Sequence, residues 1–314
     1  MPKYRVIADG PLDSTVEGFA GSGIEFLPWS VALEGTLRPV NGIYTYGHPL
    51  VDGAMLDRIP GIRVISNYGV GVDHIKVPDA VARGIPVGNT PGILDGATAD
   101  AGFTLILAAA RRVVEGDRYA RSPEFLHYDP GFMLGREVHS STLGIIGLGN
   151  IGSQVARRAR GFDMRVLYRN RRRRPGAEAR LGVEYKPLDD LLERSDYVVL
   201  TCPLTDETHH LIDAAALRRM RPTATLVNIA RGPVVDTNAL YEALRDGVIA
   251  GAGLDVTDPE PLPRDHPLLG LDNVTILPHL GSATVETRRK MAEVSVRNLH
   301  LGLRGEPLLH TVTE

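Results

Sequence analysis

The stretch of sequence that decides the fold is residues 143–152, which read Leu-Gly-Ile-Ile-Gly-Leu-Gly-Asn-Ile-Gly. Its first four residues predict a buried strand, and the spacing G-x-G-x-x-G follows directly. An amphipathic helical pattern then covers residues 151–160, and a second apolar run covers 165–168. A strand, a glycine turn, a helix and a strand in this order predict a βαβ unit that binds a dinucleotide pyrophosphate at the helix N-terminus.

The three glycines of this turn have different expected roles. Gly147 allows the tight turn, Gly149 lets the backbone approach the pyrophosphate, and Gly152 lets the helix pack closely on the strand. A glycine turn without a ligand is the alternative for the motif alone, since the chain contains 34 glycines, but the βαβ context favours a dinucleotide site. The turn residues expected to contact the cofactor are Gly147, Leu148, Gly149, Asn150, Ile151 and Gly152.

Short apolar runs alternate with helical patterns on both sides of this unit, which predicts parallel sheets covered by helices. Strands are expected at residues 4–8, 43–46, 63–66 and 86–88, and then at 143–146, 165–168, 197–200, 225–229, 250–254 and 274–277. A long helix is expected from about residue 97 to 119, followed by a loop over residues 122–140.

The fold class that follows is α/β, with two Rossmann-like, doubly wound parallel-sheet domains and an interdomain cleft. A final helical pattern over residues 284–301 is longer than the second sheet needs, so we expect it to return to the first domain. The flavodoxin-like substrate domain would then be discontinuous, with residues 1–98 plus 285–314, and the dinucleotide-binding Rossmann domain would span residues 99–284.

The composition excludes several classes of protein. The 314 residues are 43% hydrophobic and 23% charged with a formal net charge of −3, so no basic field favours a nucleic-acid or membrane partner. One cysteine excludes a disulfide framework, and no metal-ligand spacing occurs, so no metal site is expected. The longest apolar run, residues 101–110, is half of the ~20 residues that a membrane span needs, and the first residues are too polar for a signal peptide. We therefore expect a cytoplasmic protein.

The end of the second strand decides which dinucleotide is expected. An NAD site usually has an Asp or Glu ~20 residues beyond the glycines, where it accepts hydrogen bonds from the ribose. Here residues 168–172 read Tyr-Arg-Asn-Arg-Arg, and the next acid is Glu178. A guanidinium binds a 2′-phosphate that a carboxylate would repel, which favours NADP(H) over NAD(H). A solvated basic loop is the alternative, and Arg173 and Arg174 are expected to be merely exposed. The predicted contacts are Arg169, Asn170, Arg171 and Arg172.

Three further segments carry the expected chemistry, and each follows a predicted strand. They are residues 228–233 (Asn-Ile-Ala-Arg-Gly-Pro), 253–261 (Gly-Leu-Asp-Val-Thr-Asp-Pro-Glu-Pro) and 277–284 (Leu-Pro-His-Leu-Gly-Ser-Ala-Thr). Loops at the carboxyl ends of parallel strands line the ligand crevice, so Arg231, Glu260 and His279 can converge. Reduction of a 2-keto acid by hydride transfer needs a cation, a proton donor and a group that keeps the donor charged, and these three side chains supply them.

These three segments resemble signature blocks of the D-isomer-specific 2-hydroxyacid dehydrogenases, and within that family they are most similar to glyoxylate/hydroxypyruvate reductases. Residues 70–74 (Val-Gly-Val-Asp-His), 89–91 (Asn-Thr-Pro) and 202–205 (Cys-Pro-Leu-Thr) also look like family blocks, so the similarity covers nearly the whole chain. The resemblance implies reduction of a short 2-keto acid, glyoxylate or hydroxypyruvate, to the D-2-hydroxy acid.

The resemblance also implies a role for each site residue. Arg231 binds and polarises the keto acid, His279 as imidazolium donates a proton to the keto oxygen, and Glu260 hydrogen-bonds His279. A carboxylate partner favours the charged form of a histidine and fixes its ring. The backbone N–H groups of Val70 and Gly71 hold the substrate carboxylate. Further cofactor contacts are implied for Cys202, Pro203, Ile229, Ala230, Gly281 and Asp255, the last near the nicotinamide carboxamide.

Other functions stay open from the sequence. Another 2-keto acid specificity within the family is the main alternative. Phosphoglycerate dehydrogenases commonly carry a regulatory domain for which this chain has no room, and formate dehydrogenases carry Gln where Glu260 stands. D-Lactate dehydrogenases usually follow the catalytic histidine with an aromatic-containing block, unlike residues 280–284. A non-enzymatic NAD(P)-sensing protein is the alternative of another class, and Cys202 is expected to be packed rather than reactive.

A homodimer through the cofactor domain is also implied by the resemblance. The predicted helix 97–119 and the loop residues Phe125, Tyr128, Phe132 and Met133 are the candidate interface. The alternative is that these apolar side chains fold onto their own chain.

Overall fold

Two parallel β-sheets organise the residues that the structure describes, which are 3–34, 39–47 and 49–313 of a computed structural model. They lie in two compact units. One unit combines the described residues of Met1–Leu94 and Ala283–Glu314, and the other is Asp95–Ser282. The alternation of apolar runs and helical patterns predicted this α/β class, and the structure confirms it.

The first unit has a five-stranded sheet with the order β2-β1-β3-β4-β5. Its strands are β1 (Tyr4–Ala8), β2 (Ile24–Pro28), β3 (Gly42–Thr45), β4 (Val64–Asn67) and β5 (Val87–Gly88). The helices between them are α1 (Ser14–Ala20), α2 (Ser30–Glu34), α3 (Gly53–Arg58) and α4 (Val77–Ala82).

The second unit has a seven-stranded sheet with the order β12-β11-β10-β9-β6-β7-β8. Its strands are β6 (Thr142–Ile146), β7 (Arg165–Arg169), β8 (Glu184–Tyr185), β9 (Tyr197–Leu200), β10 (Thr225–Asn228), β11 (Gly251–Leu254) and β12 (Val274–Ile276). Its helices are α5 (Asp95–Ala110), α6 (Val113–Ala120), α7 (Asn150–Ala159), α8 (Pro175–Leu181), α9 (Leu188–Arg194), α10 (Ala214–Arg219) and α11 (Thr237–Arg245).

The last helix, α12 (Val285–Arg304), belongs to the first unit and packs on its sheet. The Ser66 hydroxyl at the end of β4 donates to the Ser295 carbonyl at 2.7 Å, and the Tyr44 and Ser295 hydroxyls are 2.8 Å apart. These contacts are between fully buried groups. The core of the first unit therefore contains residues from both of its chain segments, the N-terminal one and the C-terminal one.

The strand order of the second unit places its ligand edge. The strands β9, β10 and β11 are buried along their whole length, as a parallel sheet covered on both faces requires. The chain adds β7 and β8 on one side of β6 and β9 to β12 on the other, so the order reverses between β6 and β9. Ligands of open parallel sheets bind outside the carboxyl ends of the strands at such a reversal.

The predicted helix over residues 97–119 is wrong as a single element, because α5 and α6 replace it. Arg112 adopts the left-handed conformation with φ of 53° between the two helices, and its guanidinium donates to the Glu115 carboxylate at 2.6 and 2.7 Å. Much of α5 is buried, whereas no residue of α6 is. The two helices therefore lie in different surroundings.

Two strands escaped the sequence prediction, and both lie at sheet edges. The strand β2 ends one sheet and is mostly half-buried, while β8 ends the other and has only two residues. Edge strands bury less of their side chains, so their sequences carry a weaker apolar pattern. No helix in the described part of the chain has both the length and the apolar character needed to cross a membrane.

Candidate active site

The glycine turn after β6 is built by close backbone packing at two of its glycines. Gly147 has φ of 104°, and a Cβ there would lie 2.5 Å from the Cys202 nitrogen. A Cβ on Gly152 would lie 2.3 Å from the Gly147 carbonyl oxygen. Any larger residue at either position would push α7 or the loop after β9 away from the turn.

Gly149 has a different environment, because a Cβ built on it would meet no atom within 4 Å. Packing therefore does not require glycine at this position. The space above Gly149 lies at the N-terminus of α7, where the structure shows no side-chain cap. Free N–H groups beside an open approach suit a pyrophosphate, so this turn fits the dinucleotide that the motif implies.

The end of β7 places the four residues that were predicted to select the cofactor. The Asn170 Oδ1 accepts a hydrogen bond from the Leu148 N–H at 2.6 Å, so its side chain holds the glycine turn. The Arg169 guanidinium donates to the Asn170 carbonyl and to the Tyr185 hydroxyl. The Arg171 side chain is 76% exposed and pairs only loosely with Glu207, at 3.4 Å, and Arg172 is exposed. An exposed guanidinium is thus present directly after β7.

Three further charged residues follow this strand end. Glu178 is held by Arg173 through hydrogen bonds of 2.7 to 3.1 Å. The Arg174 guanidinium donates to the Leu148 carbonyl at 2.5 Å. Arg174 is exposed, as the sequence predicted, and its guanidinium also contacts the glycine turn. The sequence of four consecutive arginines does not indicate which guanidinium forms a hydrogen bond with the glycine turn.

The loops after β9 and β10 border the same sheet edge. Cys202 is buried, and burial raises the pKa of its thiol to about 11, which disfavours a reactive thiolate. Pro203 beside it is exposed. Ile229 and Ala230 are buried directly after β10. These four residues follow strands at the carboxyl edge, as the cofactor prediction needs.

His279 and Glu260 form a short hydrogen-bonded pair. The His279 Nδ1 is 2.6 Å from the Glu260 Oε1, and the side chains are 49% and 41% exposed. Burial pushes the pKa of Glu260 up, but the hydrogen bond and charge of His279, with smaller contributions from Thr257 and Arg231, bring it below its usual value. A bond from Nδ1 to a carboxylate leaves Nε2 as the ring nitrogen that can donate a proton to a substrate.

Asp255 holds the backbone that presents this histidine. Its Oδ1 accepts from the Leu280 N–H at 2.6 Å and its Oδ2 from the Gly281 N–H at 2.8 Å, while its carbonyl accepts from the His279 N–H at 2.9 Å. His279 has φ of 56°, a conformation that is unfavourable for a non-glycine residue. Burial raises the pKa of Asp255, although the two N–H groups act in the opposite direction. The three bonds stabilise the strained turn.

Arg231 follows β10 and lies beside the Glu260 loop. Its guanidinium donates to the Ala230 carbonyl at 2.9 Å, and the buried Asn228 amide donates to the Arg231 carbonyl at 2.8 Å. A Cβ on the next residue, Gly232, would lie 1.9 Å from the Thr257 carbonyl oxygen, so the two loops are in direct backbone contact. The structure thus brings Arg231, Glu260 and His279 together.

The first unit contains the other predicted substrate residues, in the turn at residues 68–72 that follows β4. The Asn67 Nδ2 donates to the Gly69 and Gly71 carbonyls at 2.8 and 2.9 Å, and the Asn89 Nδ2 donates to the Val70 carbonyl at 2.9 Å. Among the described residues, the N–H groups of Val70 and Gly71 meet no acceptor. Two adjacent free N–H groups can bind a carboxylate. The sequence prediction missed Asn67, whose only signal is a polar residue closing an apolar strand.

Comparisons with known proteins show which family this chain resembles over most of its length. The sequence profile of the family described as D-isomer specific 2-hydroxyacid dehydrogenase, NAD binding domain, matches residues 103–281. A glyoxylate reductase of Korarchaeum cryptofilum is 53% identical over 82% of this chain and 77% of its own length. The solved structure of a Thermus thermophilus protein is 43% identical with a TM-score of 0.89, covering 98% of this chain and 100% of that one.

A second solved structure is similar over the whole length of both chains. It is an NADPH-dependent glyoxylate/hydroxypyruvate reductase of Sinorhizobium meliloti in complex with NADP and malonate. It is 32% identical with a TM-score of 0.90 and covers 99% of this chain and 97% of that one. Together with the extent of the profile match, these similarities show that the chain belongs to the D-isomer specific 2-hydroxyacid dehydrogenase family.

Proposed function

We propose that the protein is an NADPH-dependent reductase of short 2-keto acids, with glyoxylate and hydroxypyruvate as its substrates. The product is the 2-hydroxy acid, of D configuration where the carbon is chiral. The observation that carries the proposal is the 2.6 Å bond between His279 and Glu260 beside Arg231, since it pairs a candidate general acid with a carboxylate next to a cation. The relatives named glyoxylate reductase support the choice of substrate.

The side chains divide the work in this proposal. Arg231 binds the keto acid and polarises its carbonyl, and His279 donates a proton from Nε2 to the keto oxygen as negative charge develops there. Glu260 favours the imidazolium before the reaction and fixes the ring. The Val70 and Gly71 N–H groups hold the carboxylate. The cofactor, when bound, supplies the hydride to the carbonyl carbon.

A spectrophotometric assay tests the function. NADPH oxidation is followed with glyoxylate, hydroxypyruvate, pyruvate and phenylpyruvate, and NADH is tested in parallel. We expect the highest kcat/KM for glyoxylate and hydroxypyruvate, and we expect the variant His279→Gln to bind NADPH but to lose turnover. The proposal is refuted if the wild-type protein reduces none of the four acids.

The preference for NADP(H) over NAD(H) rests on the residues after β7. No carboxylate follows that strand until Glu178, which Arg173 holds, and the exposed Arg171 is available for a 2′-phosphate. Arg169, Asn170 and Arg172 complete the proposed set. The Asn170 Oδ1 accepts from the Leu148 N–H, and as a neutral amide Asn170 does not supply the carboxylate that NAD sites usually have near the ribose.

Replacing Arg171 tests this preference. Arg171→Ala removes charge-assisted hydrogen bonds of ~1.5–3 kcal/mol, so the ratio of kcat/KM for NADPH to that for NADH should fall about 10- to 100-fold. Arg173→Ala is the matched control, because it removes a neighbouring arginine that is already committed to Glu178. An unchanged ratio in Arg171→Ala contradicts the assignment.

A cytoplasmic homodimer is the assembly that we propose. Large apolar side chains are exposed along α6 and the loop that follows, with Leu126 at 82% and Tyr128 at 80%. Phe125 and Phe132 are also exposed, whereas Met133 is half-buried. Exposed apolar patches of this kind mark protein interfaces. Mass measurement in solution should give a dimer that Leu126→Asp with Tyr128→Asp converts to a monomer, and a monomeric wild type contradicts the proposal.

A further inference from the structure

We propose that Asn67 is a positioning residue for the substrate carboxylate, because its side-chain amide fixes the turn at residues 68–72, the anion turn. The inference rests on the proposed function, which assigns the carboxylate to the Val70 and Gly71 N–H groups. Asn67 closes β4, is 1% exposed and does not itself reach the surface of the turn. It acts through the backbone.

The amide nitrogen of Asn67 bonds both sides of the anion turn. Its two hydrogens are donated to the Gly69 carbonyl at 2.8 Å and the Gly71 carbonyl at 2.9 Å. An amide group has two donors, and both are used within one arc of three residues. No carboxylate, and no shorter side chain, can make this pair of bonds from the same position.

Other donors take the remaining carbonyls of the anion turn. The Asn89 Nδ2 donates to the Val70 carbonyl at 2.9 Å and the Thr90 hydroxyl to the Tyr68 carbonyl at 3.3 Å. The Ile75 N–H donates to the Val72 carbonyl at 2.8 Å. The carbonyls of residues 68–72 are therefore all bonded by the protein.

The planar trans peptide converts these bonds into an orientation of the N–H groups. The carbonyl and N–H of one peptide point in opposite directions. Holding the Gly69 carbonyl inward therefore turns the Val70 N–H outward, and holding the Val70 carbonyl inward turns the Gly71 N–H outward. Asn67 holds the Gly69 carbonyl, which belongs to the first of these peptides, and the Gly71 carbonyl, which follows the second. It therefore fixes the spacing between the N–H groups of Val70 and Gly71.

Variants of Asn67 and one neighbour test the role. Asn67→Ala removes both bonds. Asn67→Asp places carboxylate oxygens against two carbonyl oxygens, and Asn67→Ser keeps one short donor if the aspartate variant does not fold. Ser66→Ala is the matched control, since its equally buried hydroxyl is on the same strand but bonds the Ser295 carbonyl rather than the turn.

The measurements are KM and kcat for glyoxylate, the dissociation constant of NADPH by fluorescence, and the thermal midpoint of each variant. We expect Asn67→Ala to raise KM by about tenfold or more, with kcat within about threefold and NADPH affinity unchanged. Asn67→Asp should raise KM further and Asn67→Ser less. Ser66→Ala should lower the thermal midpoint without changing KM.

Two outcomes separate the inference from the function on which it rests. If the wild type reduces glyoxylate but Asn67→Ala and Asn67→Ser keep its KM, the inference is wrong and the function stands. If KM rises while kcat and NADPH affinity both fall, in Asn67→Ala and Ser66→Ala alike, Asn67 is only structural and the inference is also overturned. A wild type without 2-keto-acid turnover overturns both.

Discussion

Replacing Glu260 with glutamine tests whether this carboxylate keeps the general acid charged. The change removes the negative charge but leaves an oxygen that can accept from the His279 Nδ1, now 2.6 Å from the Glu260 Oε1. Reduction consumes a proton, which the proposed mechanism takes from His279, so kcat/KM should fall on the alkaline side of its pH profile. Against the effect of burial, contact with His279 lowers the pKa of Glu260, so the negative charge and a proton on the pair favour each other, and removing that charge should move the alkaline limb of kcat/KM to lower pH.

The size of the shift follows from the exposure of the pair. Two unit charges ~4 Å apart attract by about 1 kcal/mol in bulk water and about 4 kcal/mol near a protein surface. With side chains 49% and 41% exposed, solvent screens the pair, so about 1–2 kcal/mol applies. One pH unit corresponds to ~1.36 kcal/mol, so the limb should move by about one unit. The lowered pKa of Glu260 reflects the same coupling from the other partner.

The assay is a pH profile of kcat/KM for glyoxylate with saturating NADPH. Glu184→Gln is the matched control, because Glu184 is also a paired carboxylate: hydrogen bonds from Lys186 and then Arg165 lower its pKa to about 2. Glu184 lies on β8, at the opposite end of the sheet from β12. Its profile should coincide with that of the wild type. If the alkaline limb of Glu260→Gln also stays in place, Glu260 does not hold the proton on His279 and the proposed role is wrong.

The remaining predictions concern the backbone around the cofactor and the histidine. Gly149→Ala should keep the wild-type thermal midpoint, because its Cβ meets no atom within 4 Å. The same variant should bind NADPH more weakly, as measured by fluorescence titration. Unaltered binding would mean that no ligand approaches this residue. Gly152→Ala should lower both stability and NADPH affinity, since its Cβ would lie 2.3 Å from the Gly147 carbonyl, and a stable variant contradicts the packing argument. Asp255→Asn replaces one of the two oxygens that accept from the turn N–H groups with a donor. The free energy of unfolding, measured by chemical denaturation, should therefore fall by about 1–3 kcal/mol, and kcat should fall with it. An unchanged kcat would show that the left-handed backbone of His279 does not depend on Asp255.

The sequence by itself determined the α/β class, the glycine turn of the dinucleotide-binding unit and the three segments that contain the proposed catalytic residues. The strand Tyr197–Leu200 was predicted with its observed bounds, because a strand buried on both faces is a continuous apolar run. The glycines at 147 and 152 were predictable because backbone contacts of this kind tolerate no side chain. In each case the signal is local: a few adjacent residues carry the physical requirement. The break at Arg112 and the edge strand β2 were missed because their local patterns are ambiguous.

Only the tertiary structure decided which side chains support the site. Asp255 bonds the N–H groups of residues 280 and 281, and Arg174 bonds the Leu148 carbonyl 26 positions away. Asn67 is close in sequence to the turn that it holds, yet nothing in the letters says that its amide points inward. A hydrogen bond depends on direction as well as distance, and the direction of a side chain is fixed by the packing of the whole unit. Residue types that can perform the chemistry are therefore visible in the sequence, whereas the groups that aim them are not.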